Sequence, residues 1–387
     1  MKVDIAIVGG GLVGGSLACA LTGSGLRLAV IEPKTATPPP ASGYDQRVYA
    51  VSPHSRQFLE NHGVWQRLIA DRISPVHEML VFGDDGASSL VFSAYRSGVP
   101  QLAAIVEEGN LQQAVAAALA GRENPVVFAG AGCEQVQWRD ASVELTLSNG
   151  GRVEAALVVA ADGADSKTRA AAGLEAPIHE YGQQGVVANF QAQVAHGNAA
   201  RQWFRGDGVL ALLPLPGNQV SMVWSTADAY ARELLAMSRK ELAAAVQFAS
   251  ANVLGELHAT SAARGFPLRR MRAARLVASR LALVGDAAHN VHPLAGQGLN
   301  LGFGDADALA RVLLARGMEN DCGSTFLLRR YERSRKEEVL SMEYVTGGLQ
   351  ALFGSRIPGV SMLRNAGLKM TDKFTPLKRF LVKQALG

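Results

Sequence analysis

Three groups of residues have the types and spacing for chemistry on a phosphorylated cofactor. The first is Gly9-x-Gly11-x-x-Gly14, with Leu12 and Val13 ahead of the third glycine, placed directly after the apolar run 3–8. The first glycine permits a tight turn, the second lets the backbone approach a pyrophosphate, and the third lets helix and strand pack closely. A helix opening there presents free N–H groups and a partial positive charge to phosphates. Glu32 stands 21 residues after Gly11, where a carboxylate can hydrogen-bond a ribose hydroxyl. This group by itself does not separate FAD from NAD.

The second group makes that separation. The apolar run 281–285 leads into Asp286-Ala287-Ala288-His289, then Pro293, Gly296-Gln297-Gly298, Leu299 and Asn300. A Gly-Asp at a strand end can offer its carboxylate to a polyol such as the ribityl chain of a flavin. The glycines open a helix predicted over 299–315, and its N-terminus favours negative charge by about half an elementary charge. A reduced flavin carries that charge at N1–C2=O. The third group is Asp162-Gly163-Ala164-Asp165-Ser166-Lys167-Thr168-Arg169, again directly after a predicted strand.

Elements must bring these groups together. Residues 3–8 read as a buried strand, 13–23 as a helix and 27–32 as a second strand, which is a βαβ unit. Pro38-Pro39-Pro40 marks a loop, since consecutive prolines suit neither helix nor central strand. Ser52-Pro53 offers an N-cap and a first helical position. Residues 110–120 are Ala-rich and read as a helix. Cys133–Trp138 and Val143–Leu147 alternate, Ser148-Asn149-Gly150-Gly151 is a tight turn, and Arg152–Ala160 returns as a strand ending at the Asp162-Gly163 pair.

From 185 to 226 the texture changes. The short runs 185–193, 201–204, 209–213 and 219–225 are separated by Gly, Pro and Asn, the pattern of an antiparallel sheet. Helices are predicted over 227–237 and Arg239–Ala249, and again from 324 onward. The fold class is therefore α/β: a Rossmann-type domain, a second domain built on an antiparallel β-sheet, and C-terminal helices. The divisions expected are 1–72, 100–180 and 268–330 for the cofactor domain, 73–99 and 181–267 for the substrate domain, and 331–387 for the helical segment.

The chain has 387 residues, 48% hydrophobic and 19% charged, so it can bury a sizeable core and is not a disordered polymer. The net charge of +4 is mild and scattered, and no nucleic-acid-binding motif is present. That lean suits an acidic partner such as NAD(P)H, or an anionic membrane surface. Cys19, Cys133 and Cys322 are far apart, with no CxxC pair, which points to a reducing, cytoplasmic setting. The start loosely mimics a signal peptide, but Asp4 and the glycines interrupt it. No apolar stretch reaches the about 20 residues that a membrane-spanning helix needs. His289 and His292 have no supporting ligand spacing beyond Asp286, so no metal site is expected. His54, His62 and His77 read as ordinary histidines, and no GxSxG elbow supports a hydrolase.

The third group resembles the DG motif of single-component flavin hydroxylases, which bridges flavin and nicotinamide regions. More specifically, His292-Pro293-Leu294-Ala295-Gly296-Gln297-Gly298-Leu299-Asn300-Leu301-Gly302-Phe303-Gly304-Asp305 resembles the signature of the ubiquinone-biosynthesis flavin hydroxylases (the UbiH, UbiF and VisC family). Asp45-x-Arg47-x-x-Ala50-Val51-Ser52 and Gly63-Val64-Trp65 are similar to that family's early segment, and the likeness runs to 364–368. One departure is Ala160-Ala161 before Asp162, where related enzymes often have Gly.

The resemblance implies an aromatic-hydroxylase-like monooxygenase acting on a small hydrophobic aromatic substrate, a prenylated phenol. FAD would be the cofactor, NAD(P)H a transient reductant without its own Rossmann domain, and O2 the co-substrate. It implies FAD contacts from Gly9, Gly11, Leu12, Val13, Gly14, Glu32, Arg47, Asp162, Asp286, Gly298, Leu299 and Asn300. Arg47 would help control ring movement, and Pro293, Gly296, Gln297 and Gly298 would line the flavin's reactive face. Two other readings stay open: a hydroxylase or epoxidase of another aromatic or polyketide-like compound, and a non-catalytic flavoprotein subunit of a lipid-biosynthesis complex. Residues 377–386 put Leu377, Phe380 and Leu381 on one helical face and Lys378, Arg379 and Lys383 away from it. That is a final packed helix or, in the sharper reading, a contact with a partner or the inner-membrane surface. No signal for oligomeric state is present.

Overall fold

Strand β1 (Lys2–Val8) is central because its residues are apolar toward both faces. Ile5, Ala6 and Ile7 are wholly buried, which is the signature of a strand covered on both sides. The computed structural model describes residues 1–84, 88–290, 297–317 and 321–354, with side chains to 341 apart from that of residue 297. Pro293 and Gly296, the rest of 291–296, and 355–387, including the basic C-terminal segment, lie outside the described residues.

β1 pairs in parallel with Leu28–Glu32 on one side and with Arg152–Ala160 on the other. Arg152–Ala160 is long enough to do two jobs along its free edge. Its first half pairs antiparallel with Val143–Leu147, and its second half pairs in parallel with Leu281–Leu283. The register sets Val8 against Ala160 and Ala160 against Leu283. Three turns far apart in sequence therefore leave one edge of one sheet together: Gly9, Asp162 and Asp286. The crevice beyond the carboxyl ends of parallel strands is where such sheets bind ligands. The expected strand over 281–285 stops at Leu283, and Gly285–Ala287 forms a 3-10 turn.

The helix Leu12–Leu21 lies against this sheet edge, and Gln297–Leu314 packs on it. A Cβ on Gly302 would meet Val13 Cγ2 at 2.7 Å, so the two helices touch through a side chain set into a glycine. Pro53–Asn61 begins where expected, with Ser52 Oγ accepting from Ser55 N at 3.2 Å.

The second sheet has nine strands. Its main order is His289–Asn290, Arg264–Arg272, Ile178–Ala192, Gln219–Ala227, Gly208–Leu215, Ala199–Arg205, Glu78–Phe82 and Ser89–Ser93; Leu257–Ala259 adds to Ile178–Ala192. Pairings are antiparallel except one: Ala199–Arg205 runs parallel to Glu78–Phe82. An apolar pattern carries no strand direction, so this departure from a purely antiparallel sheet was invisible in the sequence. Ile178–Ala192 and Arg264–Arg272 run through positions 180 and 267, where the sequence reading places domain divisions. Helices Asp228–Ala236 and Arg239–Ala249 flank this sheet, and a core including Phe190, Leu210, Leu212, Met222, Trp224, Leu234 and Val246 forms between. A small sheet of Val48–Val51, Ala103–Glu107 and Ser74–Val76 completes the sheets. Among the described residues, no helix is long and apolar enough to cross a membrane.

Candidate active site

A cleft of about 2200 Å³ lies between the two large sheets. That exceeds the roughly 300–1,000 Å³ of a drug-sized pocket, so there is room for a dinucleotide and a second molecule.

The glycine turn forms one end. Gly9 has φ +100°, and a Cβ there would sit 2.2 Å from Ala161 O. A Cβ on Gly14 would sit 2.0 Å from Gly9 O, so the third glycine is required by helix–strand contact. Gly11 differs: it lines the cleft, and a Cβ there meets nothing within 4 Å. The space beside Gly11 is the cradle a pyrophosphate needs. We expect Gly14→Ala to destabilise the apoprotein by roughly 1–3 kcal/mol, the usual cost of overpacking. Gly11→Ala should leave apoprotein melting within about 2 °C and weaken FAD about tenfold, roughly 1.4 kcal/mol of lost approach. Melting curves paired with flavin titration check this; equal stability losses for both variants would contradict it.

Glu32 closes the second strand and lines the cleft. Its Oε2 accepts from Gly10 N at 2.7 Å and Oε1 from Lys34 N at 2.8 Å. Those bonds fix the carboxylate at the cleft and leave lone pairs for a further donor. Asp162 also lines the cleft, but both its oxygens serve its own loop, accepting from Ser166 Oγ and from Thr168 N at 3.1 Å. The turn is tied onward by buried Arg169, which donates to Ala164 O at 3.0 Å and to Ala287 O at 2.9 Å. The DG and GD turns are thereby one unit.

Asp286 is exposed to the cleft while its neighbours Gly285 and Ala287 are buried. Water reaches the carboxylate, yet it stands deep enough that desolvation pushes its pKa up; His289, Arg47 and Arg269 pull the other way. Arg47 also faces the cleft, with Glu108 Oε1 at 3.4 Å and the Tyr49 ring centroid 5.5 Å from its guanidinium carbon. Burial works against its charge, but Tyr49, Glu108 and Asp286 outweigh it and raise its pKa. Leu12, Val13, Gly298 and Leu299 also line the cleft, and Gln297 begins the helix behind them. Asn300 also serves the scaffold: its Oδ1 accepts from Ser52 N and its Nδ2 donates to Ala50 O, both at 2.9 Å. Its amide holds the helix start to the chain that follows Arg47.

The opposite wall is one face of the second sheet. Along Gly208–Leu215, Leu210 and Leu212 are buried beneath helices, whereas Val209, Ala211 and Leu213 are half-buried and face the cleft. The period of two gives each face its own set. Val187 and Val223 extend the apolar wall, with Arg201, Gln202 and Ser225 among its polar points. Beyond lie Val76, Met79, Ile105 and Ala200, an apolar arm of the same cleft whose walls are packed together and nearly closed to water. Arg269 Nη2 donates to Asp165 Oδ2 at 2.9 Å and ties the wall to the DG turn.

Sequence reasoning missed what lies behind Asp286. Asp305 is wholly buried and accepts from Gly285 N at 2.9 Å and Arg335 Nε at 2.7 Å; His289 Nε2 lies 2.7 Å from it. Desolvation alone would push His289 down and Asp305 up, but their contact wins in both, raising His289 and lowering Asp305. The only sequence signal was Asp305 closing the quoted signature. Among the described residues no group of three or more His, Cys, Asp or Glu side chains could hold a metal.

A glycine cradle for pyrophosphate, a carboxylate at the polyol position and an apolar sheet across one cleft are the working parts of an FAD-dependent monooxygenase. The chain belongs to the family described as FAD binding domain, which it matches over residues 2–344. It is 36% identical over 386 residues to the 3-demethoxyubiquinol 3-hydroxylase of Escherichia coli, covering 99% of this chain and 98% of that one. It is 34% identical to the ubiquinone hydroxylase UbiL of Rhodospirillum rubrum, covering 99% and 89%. Among solved structures it superposes on Pseudomonas aeruginosa PqsL in complex with 2-aminobenzoylacetate with a TM-score of 0.80 and 25% identity, covering 96% of this chain and 100% of that one.

Proposed function

We propose that this protein hydroxylates the aromatic ring of a prenylated phenol in ubiquinone biosynthesis, with NAD(P)H as reductant and O2 as co-substrate. The observation that carries the reading is the apolar sheet face, with few polar points, set across one cleft from the flavin cradle. The names of the relatives from Escherichia coli and Rhodospirillum rubrum support the substrate class.

FAD, when bound, supplies hydride acceptance and oxygen activation. The residues of this chain supply position and dryness. Gly9, Gly11 and the helix start at Leu12 would hold the pyrophosphate, Glu32 a ribose and Asp286 the ribityl hydroxyls. Arg47, which lines the cleft, would place positive charge beside the flavin. Val187, Val209, Ala211 and Val223 would hold the ring flat and exclude water, and Gln202 or Ser225 can hydrogen-bond a phenol oxygen. The arm at Val76, Met79, Ile105 and Ala200 suits an isoprenoid tail, each buried methylene being worth about 0.8 kcal/mol.

The test is anaerobic reduction of the yellow protein by NADPH, then mixing with O2 and a prenylated phenol. Flavin bleaching followed by one hydroxylated product per reductant is expected. Ala200→Trp, filling the arm, should raise KM for the prenylated phenol at least tenfold and for a tail-less phenol less than about threefold, since only the former loses some 1.4 kcal/mol or more. Bound FAD that NADPH cannot reduce would favour a non-catalytic subunit; rapid turnover of unprenylated polycyclic phenols would favour another aromatic substrate.

A further inference from the structure

The helix Thr325–Gly354 packs behind the cleft and meets the strands and helix that carry its turns through three side chains. Tyr331 is wholly buried, and its hydroxyl donates to Leu283 O at 2.7 Å, at the end of the strand that leads to Asp286. Glu332 Oε1 accepts from Leu276 N at 2.9 Å. Arg335, buried, donates through Nε to Asp305 Oδ1 at 2.7 Å and through Nη2 to Leu301 O at 3.2 Å. The guanidinium lies against Gly304, where a Cβ would come within 2.8 Å of Nη2. Gly304 thus makes room for Arg335, as Gly302 does for Val13.

Asp305 is the hub. Its second oxygen is shared between Gly285 N and His289 Nε2. These partners flank Asp286 in sequence, and Gly285 carries a left-handed φ of +59°. The direction of the Asp286 carboxylate is therefore set from behind. A buried ion pair alone is weak ground for a role, because a well-packed apolar replacement often serves stability as well. Here, however, the bonds converge on the turn that presents the cleft's carboxylate. His289 is also the largest opposing influence on Asp286, and among the described residues its buried Nδ1 meets no partner.

We propose that Arg335 is a positioning residue for the flavin site. By holding Asp305 it fixes the Gly285–Asp286 turn and the His289 imidazole behind it, so the C-terminal helix governs how tightly FAD is held and how readily it is reduced. Arg335 stands between Asp305 and the more exposed Glu338, to which its Nη1 also donates; removing its charge would leave both carboxylates less compensated behind the site, which disfavours the anionic reduced flavin.

The test uses full-length holoenzyme with Arg335→Met, Arg335→Lys and, as a packing control, Leu328→Ala, a wholly buried residue on the same helix. FAD dissociation constants, flavin midpoint potentials and melting temperatures are measured. Arg335→Met should weaken FAD at least tenfold and disfavour reduction about tenfold, near 30 mV for a two-electron couple. Arg335→Lys, keeping the charge but losing the fork, should restore the potential while FAD stays about threefold weaker or more. Leu328→Ala should lower melting temperature and leave the potential unchanged. The proposal is overturned if Arg335→Met keeps the wild-type potential, or if Leu328→Ala shifts it as far. Should Arg335→Met fail to fold, Arg335→Lys decides alone: wild-type FAD affinity in that variant overturns the proposal.

Discussion

Asp286→Ala yields a folded protein that no longer retains FAD through purification. The side chain is exposed into the cleft and packs under nothing, so its removal leaves no core cavity. Hydrogen bonds to a charged group contribute about 1.5–3 kcal/mol each, and one such bond to a ribityl hydroxyl corresponds to a loss of roughly 10- to 150-fold in affinity. Asp286→Asn separates binding from stability. Desolvation raises the pKa of this carboxyl above its ordinary value, against His289, Arg47 and Arg269. A raised folded-state pKa contributes stability only while the group is protonated, and that contribution is lost as pH rises through the raised value. At neutral pH the ionised carboxylate therefore costs the apoprotein stability, and Asn removes the cost. The apo Asp286→Asn variant should melt higher than wild type at pH 7, the gap closing below the ordinary carboxylate pKa, while binding FAD more weakly. Stoichiometric flavin in either variant, or an Asn variant that melts lower at pH 7, would rule out this account of the residue.

The conflict between binding and stability at Asp286 is visible only once its surroundings are known. What the sequence does carry are demands made by backbone geometry. Gly9 and Gly14 are legible because a Cβ at either would strike the chain itself. Cys133–Trp138, Val143–Leu147 and Arg152–Ala160 appear with the predicted bounds because their alternation and the Asn149-Gly150 turn are local. Arg264–Arg272 was not legible as a strand: four arginines and Pro267 break any apolar alternation. It forms because Ile178–Ala192 offers a partner edge, a case of tertiary context overriding propensity. The hub at Asp305 escaped for a related reason. Its partners stand 16 and 30 positions away on other elements, and two acids, Asp305 and Asp307, in a mostly apolar helix carry no period that says which one is buried. Asn300 shows the reverse case, a scaffold role that the signature does not announce. It sits within a recognisable signature, so a cofactor role was expected, and its amide also bonds to the backbone at 50 and 52.

These scaffold contacts share one logic. Arg169 joins the DG turn to Ala287, Asn300 joins the helix Gln297–Leu314 to Ala50 and Ser52, and Asp165–Arg269 joins the DG turn to the substrate wall. Each pins a loop that carries a cleft residue to an element that cannot move far. Precision at the cleft therefore depends on residues that would never touch a substrate.

The same logic gives Glu107→Ala a large effect. Glu107 is wholly buried at the end of Ala103–Glu107. Its oxygens take Arg72 Nε at 2.6 Å, Arg72 Nη2 at 2.7 Å and the Asp45 N–H at 2.6 Å. Arg72 also donates to Gly43 O at 2.8 Å and lies over the Tyr44 ring. Asn189 Nδ2 then donates to Tyr44 O at 2.9 Å and Asp45 O at 3.0 Å, fastening this loop to the substrate sheet. Arg47 follows two residues later. Removing one partner of a buried pair costs about 3–5 kcal/mol, and because Arg72 retains some exposure the lower end applies. Glu107→Ala should unfold at correspondingly lower urea. Its surviving folded fraction should release more peroxide per NAD(P)H, because Arg47 is no longer held. Arg72→Ala should do much the same, and the double variant should lose clearly less stability than the sum of the two, since each single change strands a charge that the double change removes. Strict additivity would mean that the two side chains act separately and that the loop before Arg47 is held by Asn189 and the Tyr44 packing instead.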